Sequence, residues 1–402
     1  MVGRSIISAR AGSPGGRLRR ECDNSRVAEP EAAATPGGVG ADSMEIMADS
    51  PGELGGTPAG LQDCLGSMLR EFARTVGFAE GVVMSFDPDV LLPNGFAASV
   101  ERGLGDAVLA CRNEQLDRDF LKFRDLATSR VPVGVAGRES DPRVRSSPRW
   151  REILDVRGHG HELRAALVDV SGQCWGALNF MREDRRPFAE RDIRLVQRGI
   201  GGWASAVAQS MVTGGPPAGS GLEPGSVWLD EAGAIIFASA AAQQWLNLLD
   251  GQSHPGFARA LLAGLAMRVG RDAGAGPAAE AAEESAGAGR AVAVRVRTTG
   301  GWWVRARAEP ITSTSGSPRG VTIVIDAARA GYVLPLAASA YRLTGRELEV
   351  VRCVLNGLDT RSVAASLHIS EYTVQDHLKS VFGKVGVRSR RELAHELAVG
   401  LG

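Results

Sequence analysis

Two periods of hydrophobicity alternate along this chain. From Leu61, apolar residues recur at helical spacing (Leu61, Leu65, Met68, Leu69, Phe72, Val76), which predicts an amphipathic first helix. Residues 81–86 (GVVMSF) read as a strand closed by the turn chemistry of Asp87-Pro88, and a helical stretch over about 103–127 follows. Beyond a Pro-, Gly- and Arg-rich loop reaching Trp150, the apolar runs 162–170 and 174–181 are joined by Ser171-Gly172 and predict a hairpin. Ile193, Val196, Ile200, Trp203, Val207 and Met211 then predict a long helix over 189–211.

A second series begins after a Gly/Pro/Ser-rich stretch. Residues 227–229 and 235–237 flank Asp230-Glu-Ala-Gly233 as strand, turn and strand, and 240–249 is a short helix. Pro255 opens another helix to Val269, and 272–289 is Ala/Gly/Glu filler expected as a flexible loop. Strict alternation at Val292, Val294 and Val296, around Trp303 to Arg307, and at Val321, Ile323 and Ile325 predicts three last strands.

The C-terminal stretch predicts four short helices. Thr344 with Glu347 three residues later is a capping box opening the first, whose stripe is Leu348, Val351, Cys353 and Leu355 and whose stop is Gly357. Asp359-Thr360 caps a second, with Val363, Ala364 and Leu367 facing inward. His368-Ile369-Ser370 is the turn, and Ser370 caps a third helix running from Glu371 to about Phe382. On its wheel Val374, Leu378, Val381 and Phe382 share one side and must be buried. Tyr372, Asp376, Lys379, Ser380 and Gly383 share the other, with Thr373 and Gln375 at the flanks. Amides, hydroxyls and a lysine on one open face suit base edges and phosphates in a DNA major groove. Lys384, Arg388, Arg390 and Arg391 follow Lys379 with no acid in between, an electrostatic footprint expected beside phosphates, to which Tyr372 and Arg388 are assigned.

Residues 343–350 (LTGRELEV), 369–378 (ISEYTVQDHL) and 384–390 (KVGVRSR) closely resemble the LuxR-type helix-turn-helix domain, over about 60 of the 402 residues. The resemblance implies that the third helix reads DNA, with Gln375, Asp376 and Lys379 facing bases and Ser370, Thr373 and Lys384 near phosphates. It also implies a fourth helix, begun at Ser389, for dimer contact. Many relatives carry Lys where this chain has Gln375, and a neutral residue where it has Asp376. Gln can pair with adenine and Asp can accept from cytosine, so this reader is expected to lean on base contacts. Upstream, Cys174-Trp-Gly-Ala-Leu178 and the Phe188-x-x-x-Asp192 helix entry are similar to a GAF-type sensory domain. The Leu229-Asp-x-x-Gly233 turn within a strand–helix–strand order is similar to a PAS-type domain. The expected fold class is therefore multidomain α+β: a disordered tail (1–60), a GAF-like α+β domain (61–212), a linker (213–224), a PAS-like α+β domain (225–328), a second linker (329–338) and an all-α four-helix LuxR-type domain (339–402).

Composition narrows this picture. Lys plus Arg and Asp plus Glu are both 46, so no whole-molecule field draws the chain to DNA or to an anionic membrane, and DNA affinity must come from local clusters. Only three lysines occur, and two of them, Lys379 and Lys384, lie in the reading region. Five scattered cysteines lack metal or disulfide spacing, and Cys353 is expected as a small buried hydrophobe. No apolar run is long enough to span a bilayer and the arginine-rich start lacks an apolar core, so a cytoplasmic protein is expected; Met44 and Met47 are alternative starts to Met1.

Candidate chemistry elsewhere is thin. His159 and His161 share a strand face, but a metal needs three or four ligands and only Glu162 and Cys174 could help, so loop histidines are the expectation. Trp302-Trp303 is expected as strand core. No phosphate-binding loop or nucleophile elbow is present, and no catalytic set can be assembled. The sequence thus predicts a regulator rather than an enzyme, with no cofactor. Its expected partners are double-stranded DNA, a second copy of itself, and an unknown small-molecule or protein signal. A cofactor-bound redox or light sensor with DNA-binding output, and a protein-interaction scaffold, are the alternatives.

Overall fold

The alternating segments assemble into two antiparallel five-stranded sheets, each with its own helices, followed by a helical bundle. The computed structural model describes residues 60–397 except 102, 184–185, 213–221, 231–232, 252–255, 275–290, 299–301 and 313–317. The tail expected at 1–60 apart from Gly60, most of the linker at 213–224, residues 275–289 of the expected filler loop and Pro255 lie outside the described residues, whereas 272–274, expected as the start of that loop, continue a helix that runs to Gly274.

The first module runs α1 (Leu61–Thr75), β1 (Glu80–Asp87), β2 (Leu92–Ala98), α2 (Leu104–Gln115), α3 (Phe123–Ala127), β3 (Val133–Gly137), α4 (Pro142–Arg145), β4 (His159–Val168), β5 (Cys174–Glu183) and α5 (Glu190–Val212). Its strand order is β2-β1-β5-β4-β3. The hairpin β4–β5 closes because the Asp169 carboxylate accepts from Ser171 N at 2.8 Å and Gln173 N at 3.1 Å while Gly172 takes φ +86°. Along β4, Leu163, Ala165 and Leu167 join the core under α1 and α5. Their alternate neighbours Glu162, Arg164 and Ala166 face the opposite side, where α3 packs against β4. Two strands, β2 and β3, were not expected. LPNGFAA and VGVAG carry Pro and Gly, which read as turn signals but are tolerated in strands at a sheet edge.

The second module has β6 (Gly225–Leu229), β7 (Ile235–Ala238), α6 (Ala240–Asp250), α7 (Phe257–Gly274), β8 (Val292–Arg297), β9 (Trp303–Thr312) and β10 (Pro318–Ala327), in sheet order β7-β6-β10-β9-β8. One sheet face is sealed by α6 and α7 through Trp245, Leu249, Leu262 and Leu265. On the other face Trp228 and Phe237 stay half open to solvent, their ring centroids 5.9 Å apart. Trp303 is buried as expected of strand core, whereas Trp302 is half-buried.

The two modules are clamped at Arg295 on β8. Its guanidinium donates to both oxygens of the fully buried Asp87 at 2.6 and 2.8 Å, to Asp89 at 2.6 Å, and to the Tyr332 carbonyl at 2.9 Å. The Arg295 carbonyl in turn accepts from Asn94 Nδ2 at 3.0 Å. Tyr332 belongs to α8 (Ala330–Ala340), and this helix corrects the expectation of a linker at 329–338. Val333, Leu336 and Ala337 of α8 are buried in the core shared with α5. Pro335 and an almost wholly apolar sequence concealed the helix, because no polar face marks its period.

Truncating one partner of a desolvated pair leaves the other charge buried. Arg295→Met should therefore cost about 3–5 kcal/mol in urea denaturation of the full chain. The double change Asp87→Leu with Arg295→Met should recover most of that loss, since no orphaned charge remains.

Candidate nucleic-acid interface

The C-terminal bundle comprises α9 (Gly345–Leu355), α10 (Thr360–Leu367), α11 (Glu371–Val385) and α12 (Arg390–Leu397). Each start carries a side-chain cap. Thr344 and Glu347 form the expected reciprocal box, Asp359 accepts from Ser362 N at 2.8 Å, and Ser370 accepts from Thr373 N at 3.0 Å. At α12, Ser389 accepts from Glu392 N at 3.1 Å, while Glu392 reaches back to Arg388 N at 2.8 Å. The turn between α10 and α11 depends on His368 at φ +54°, which lets Ile369 N close back on the Ala364 carbonyl at 3.0 Å.

Val363, Val374, Leu378 and Val381 are buried, and all but Leu378 wholly so. Leu367 and Phe382, expected in the same seam, are half-buried and pack against its edge. The stripe of α9 differs from the expected one. Val350, Val351 and Val354 are buried, while Leu348, Cys353 and Leu355 are half-buried at its margins, so Cys353 is not the fully buried hydrophobe expected. Val385, Leu393 and Leu397 complete the core.

Opposite the seam, α11 presents an open face. Gln375, Asp376 and Lys379 are all exposed, and Tyr372 is 73% exposed at the helix start. Ser370 is exposed beside them and Thr373 is half-buried, their hydroxyls 2.8 Å apart. The basic run divides in two. Lys379, Arg388 and Arg391 point to solvent, whereas Arg390 donates to the Leu358 carbonyl at 3.1 Å and to Thr360 Oγ1 at 2.9 Å. Lys384 donates to Glu347 at 2.6 Å and to the Arg342 carbonyl at 3.1 Å, leaving one of its three N–H groups for a further acceptor. Ser380, expected on the open face, donates its hydroxyl to Glu347 at 2.6 Å.

Glu347 is thus the hidden organiser of this site. It is 4% exposed and accepts from Thr344 N, Ser380 Oγ and Lys384 Nζ, each at 2.6 Å, which pins α11 to α9. Burial alone would raise its pKa, but the Lys384 ammonium, the Ser380 hydroxyl and the Thr344 contacts outweigh it and hold the carboxyl down at about 2, against 4.5 for a free Glu. The capping box was legible in the sequence, whereas the two longer-range partners were not, because Ser380 and Lys384 lie more than 30 residues away.

The histidines of β4 form no metal centre with their neighbours. His159 Nε2 lies 2.7 Å from Glu80, and Glu162 is engaged by Arg149. Among the described residues no group of three or more His, Cys, Asp or Glu could hold a metal, and no helix is long and apolar enough to cross a membrane.

A folded-state pKa below the unfolded one means stability that is complete above pH 4.5 and lost as pH falls through about 2. Amide-exchange protection of 371–385 in the full chain, corrected for intrinsic rates, should decline across that window. Glu347→Gln should remove the decline and lower protection at neutral pH by about 1.5–3 kcal/mol, the worth of hydrogen bonds to a charged group.

Residues 341–397 match the family model described as bacterial regulatory proteins, luxR family. A candidate HTH-type transcriptional regulator in the exeN 3′ region of Aeromonas salmonicida is 48% identical over 52 residues, which is 13% of this chain and 26% of that protein. The next relatives, from mycobacteria, are matched over 6% of their length, so the likeness to these curated proteins is confined to one domain. The spore germination protein GerE of Bacillus subtilis is 38% identical over 55 residues, covering 14% of this chain and 74% of GerE. Among solved structures, Escherichia coli SdiA aligns over 85% of this chain and 91% of its own at 11% identity and a TM-score of 0.28, a likeness that bears no inference. With three quarters of GerE accounted for by its C-terminal helices, the chain belongs to the LuxR family of bacterial regulatory proteins.

Proposed function

We propose that this chain is a sequence-specific DNA-binding transcriptional regulator whose two α+β modules, one GAF-like and one PAS-like, receive a ligand or partner and control the C-terminal reader. The observation that carries this reading is the solvent-open face of α11, raised on a seam of Val374, Leu378 and Val381. Gln375, Asp376 and Lys379 are the base-contacting residues on this reading, and Ser370, Tyr372, Thr373, Lys384 and Arg388 contact the backbone. The major groove is about 12 Å wide and admits one helix, so only this face meets base edges. A homodimer sets two reading helices about 34–36 Å apart, one helical turn of DNA.

Control has a physical route. Helix α8 is packed on α5 of the first module, receives Arg295 of the second through the Tyr332 carbonyl, and leads directly into α9. Arg342, at the α8–α9 junction, also donates to Ser205 of α5 at 2.7 Å. A signal that favours one arrangement of the two modules therefore acts on the base of the reader, by as much as its affinities for the two arrangements differ.

Selection from random double-stranded oligonucleotides with the full chain should enrich one motif, repeated at a spacing of about one helical turn; recovery of unenriched sequence would overturn the assignment. Within an enriched site, Lys379→Ala should cost about 1–3 kcal/mol and relax preference at one base position. An equal loss on every sequence, with the salt slope smaller by about one, would move Lys379 to a phosphate instead.

A further inference from the structure

The first module buries an unusual amount of charge on the sheet face away from α1 and α5. Arg149 grips Glu162 through two nitrogens, and both side chains are almost fully enclosed. Arg164, two residues along β4, is 1% exposed, gives Nη2 to Glu114, and stacks its guanidinium 3.7 Å from the centroid of Phe123. Its Nε and Nη1 have no hydrogen-bond partner. A buried donor left unmade is costly, and more so when charged, so a folded protein rarely retains one without use.

Arg164 is among the residues that line a cavity of about 200 Å³. One wall is Val82, Met84 and Phe96 from the first sheet; the facing wall includes Phe257, Leu261 and Gly264 of α7, which belongs to the second module. The lining is mostly aliphatic and aromatic, with Gln115, Asn179, two acids and five arginines, of which Arg149, Arg268 and Arg271 are paired with Glu162 and Asp272 behind the wall. Desolvation and the neighbouring Arg149 both press on the Arg164 charge, with Glu114 and Glu162 opposing them. An oxygen acceptor carrying negative charge that reached Arg164 from the cavity would satisfy its unpaired donors.

We propose that this cavity binds a small amphiphilic carboxylate, its head on Arg164 and its apolar body between the first sheet and α7. The assignment gives a ligand class to the sensory role proposed above and rests on it. Because the two walls come from different modules, an occupant bridges them a short way from the Arg295 clamp, and its binding is coupled to the way they meet.

The test uses three isosteric probes that differ only in the head: 4-phenylbutyrate, 4-phenylbutanol and 4-phenylbutylamine, titrated calorimetrically into the full chain without DNA. Phenylbutyrate should bind and raise the melting temperature, the alcohol should bind at least tenfold more weakly, and the amine should not bind. Arg164→Met should abolish the preference for carboxylate over alcohol. Should that variant fail to fold, Gly264→Leu decides the matter. A Cβ at Gly264 meets Cys111 and Leu92 only in ordinary contact at 3.6 Å, so a side chain can begin there, among the residues that line the cavity. This variant should keep the unliganded melting temperature and lose phenylbutyrate affinity at least tenfold. Equal binding of acid and alcohol, absence of binding at millimolar concentration, or undiminished binding to Gly264→Leu would each overturn the proposal. These readouts involve no DNA, so their failure is distinguishable from failure of the regulator assignment, which the oligonucleotide selection judges.

Discussion

Arg295 stands where three parts of the molecule meet, and its charge must be matched there or the parts cannot close. It holds Asp87 at the end of β1, Asp89 in the following turn, and the Tyr332 carbonyl of α8, while its own backbone carbonyl receives Asn94 of β2. Such a pair adds little net stability over a well-packed apolar substitute, because desolvating both charges costs nearly what their attraction returns. Its contribution is to geometry. A greasy interface between β2 and β8 would tolerate sliding, whereas a guanidinium with these fixed acceptors admits one register. Arg297, two residues on, adds a bond to the Met211 carbonyl at the end of α5, so β8 is tied to both ends of the first module's frame.

That geometry reaches the C-terminal bundle through a helix rather than a loose tether. A flexible linker would let the modules and the bundle move independently, and a change at one would dissipate before reaching the other. Here α8 is buried among residues of α5 and is followed at once by Arg342 at φ +54°, a single sharp bend from which Leu343 N returns to the Ala338 carbonyl at 2.8 Å. The bend leaves α8 and α9 as stiff arms on a common joint. Glu347 then carries the constraint across, since the carboxylate that caps α9 also holds Ser380 and Lys384 of α11.

How much of this was legible in the sequence depends on how local each cause is. The C-terminal bundle could be read closely because its caps act over three residues and its turn over three more, so Thr344, Asp359, Ser370 and the Val374–Leu378–Val381 seam declared themselves. The principal strands and long helices followed from their periods. Edge strands β2 and β3 did not, since Pro93, Gly95 and Gly134 look like turn residues until a neighbouring strand supplies the ladder. Helix α8 hid behind its uniform hydrophobicity. The polar chemistry of the first module was the largest omission. Residues 162–170 were legible as an apolar run, but Glu162 and Arg164 within it are buried charges whose partners, Arg149 and Glu114, come from distant loops and helices.

The reading surface follows from the same division of charge. Of the five cations that crowd the sequence between 379 and 391, Lys384 and Arg390 are bound into the bundle, and the open set is Lys379, Arg388 and Arg391. Asp376 lies one turn from Lys379 on the same open face and opposes any polyanion approaching it. Non-specific affinity rises with the number of phosphates a surface neutralises, so on the proposed function these three open cations, on a chain of zero net charge, give weak hold on arbitrary DNA. On the function proposed above, such a chain obtains most of its occupancy from base contacts and from pairing two readers on one site. Both depend on where the bundle is held, and in this chain that position is set by α8 and the modules clamped behind it.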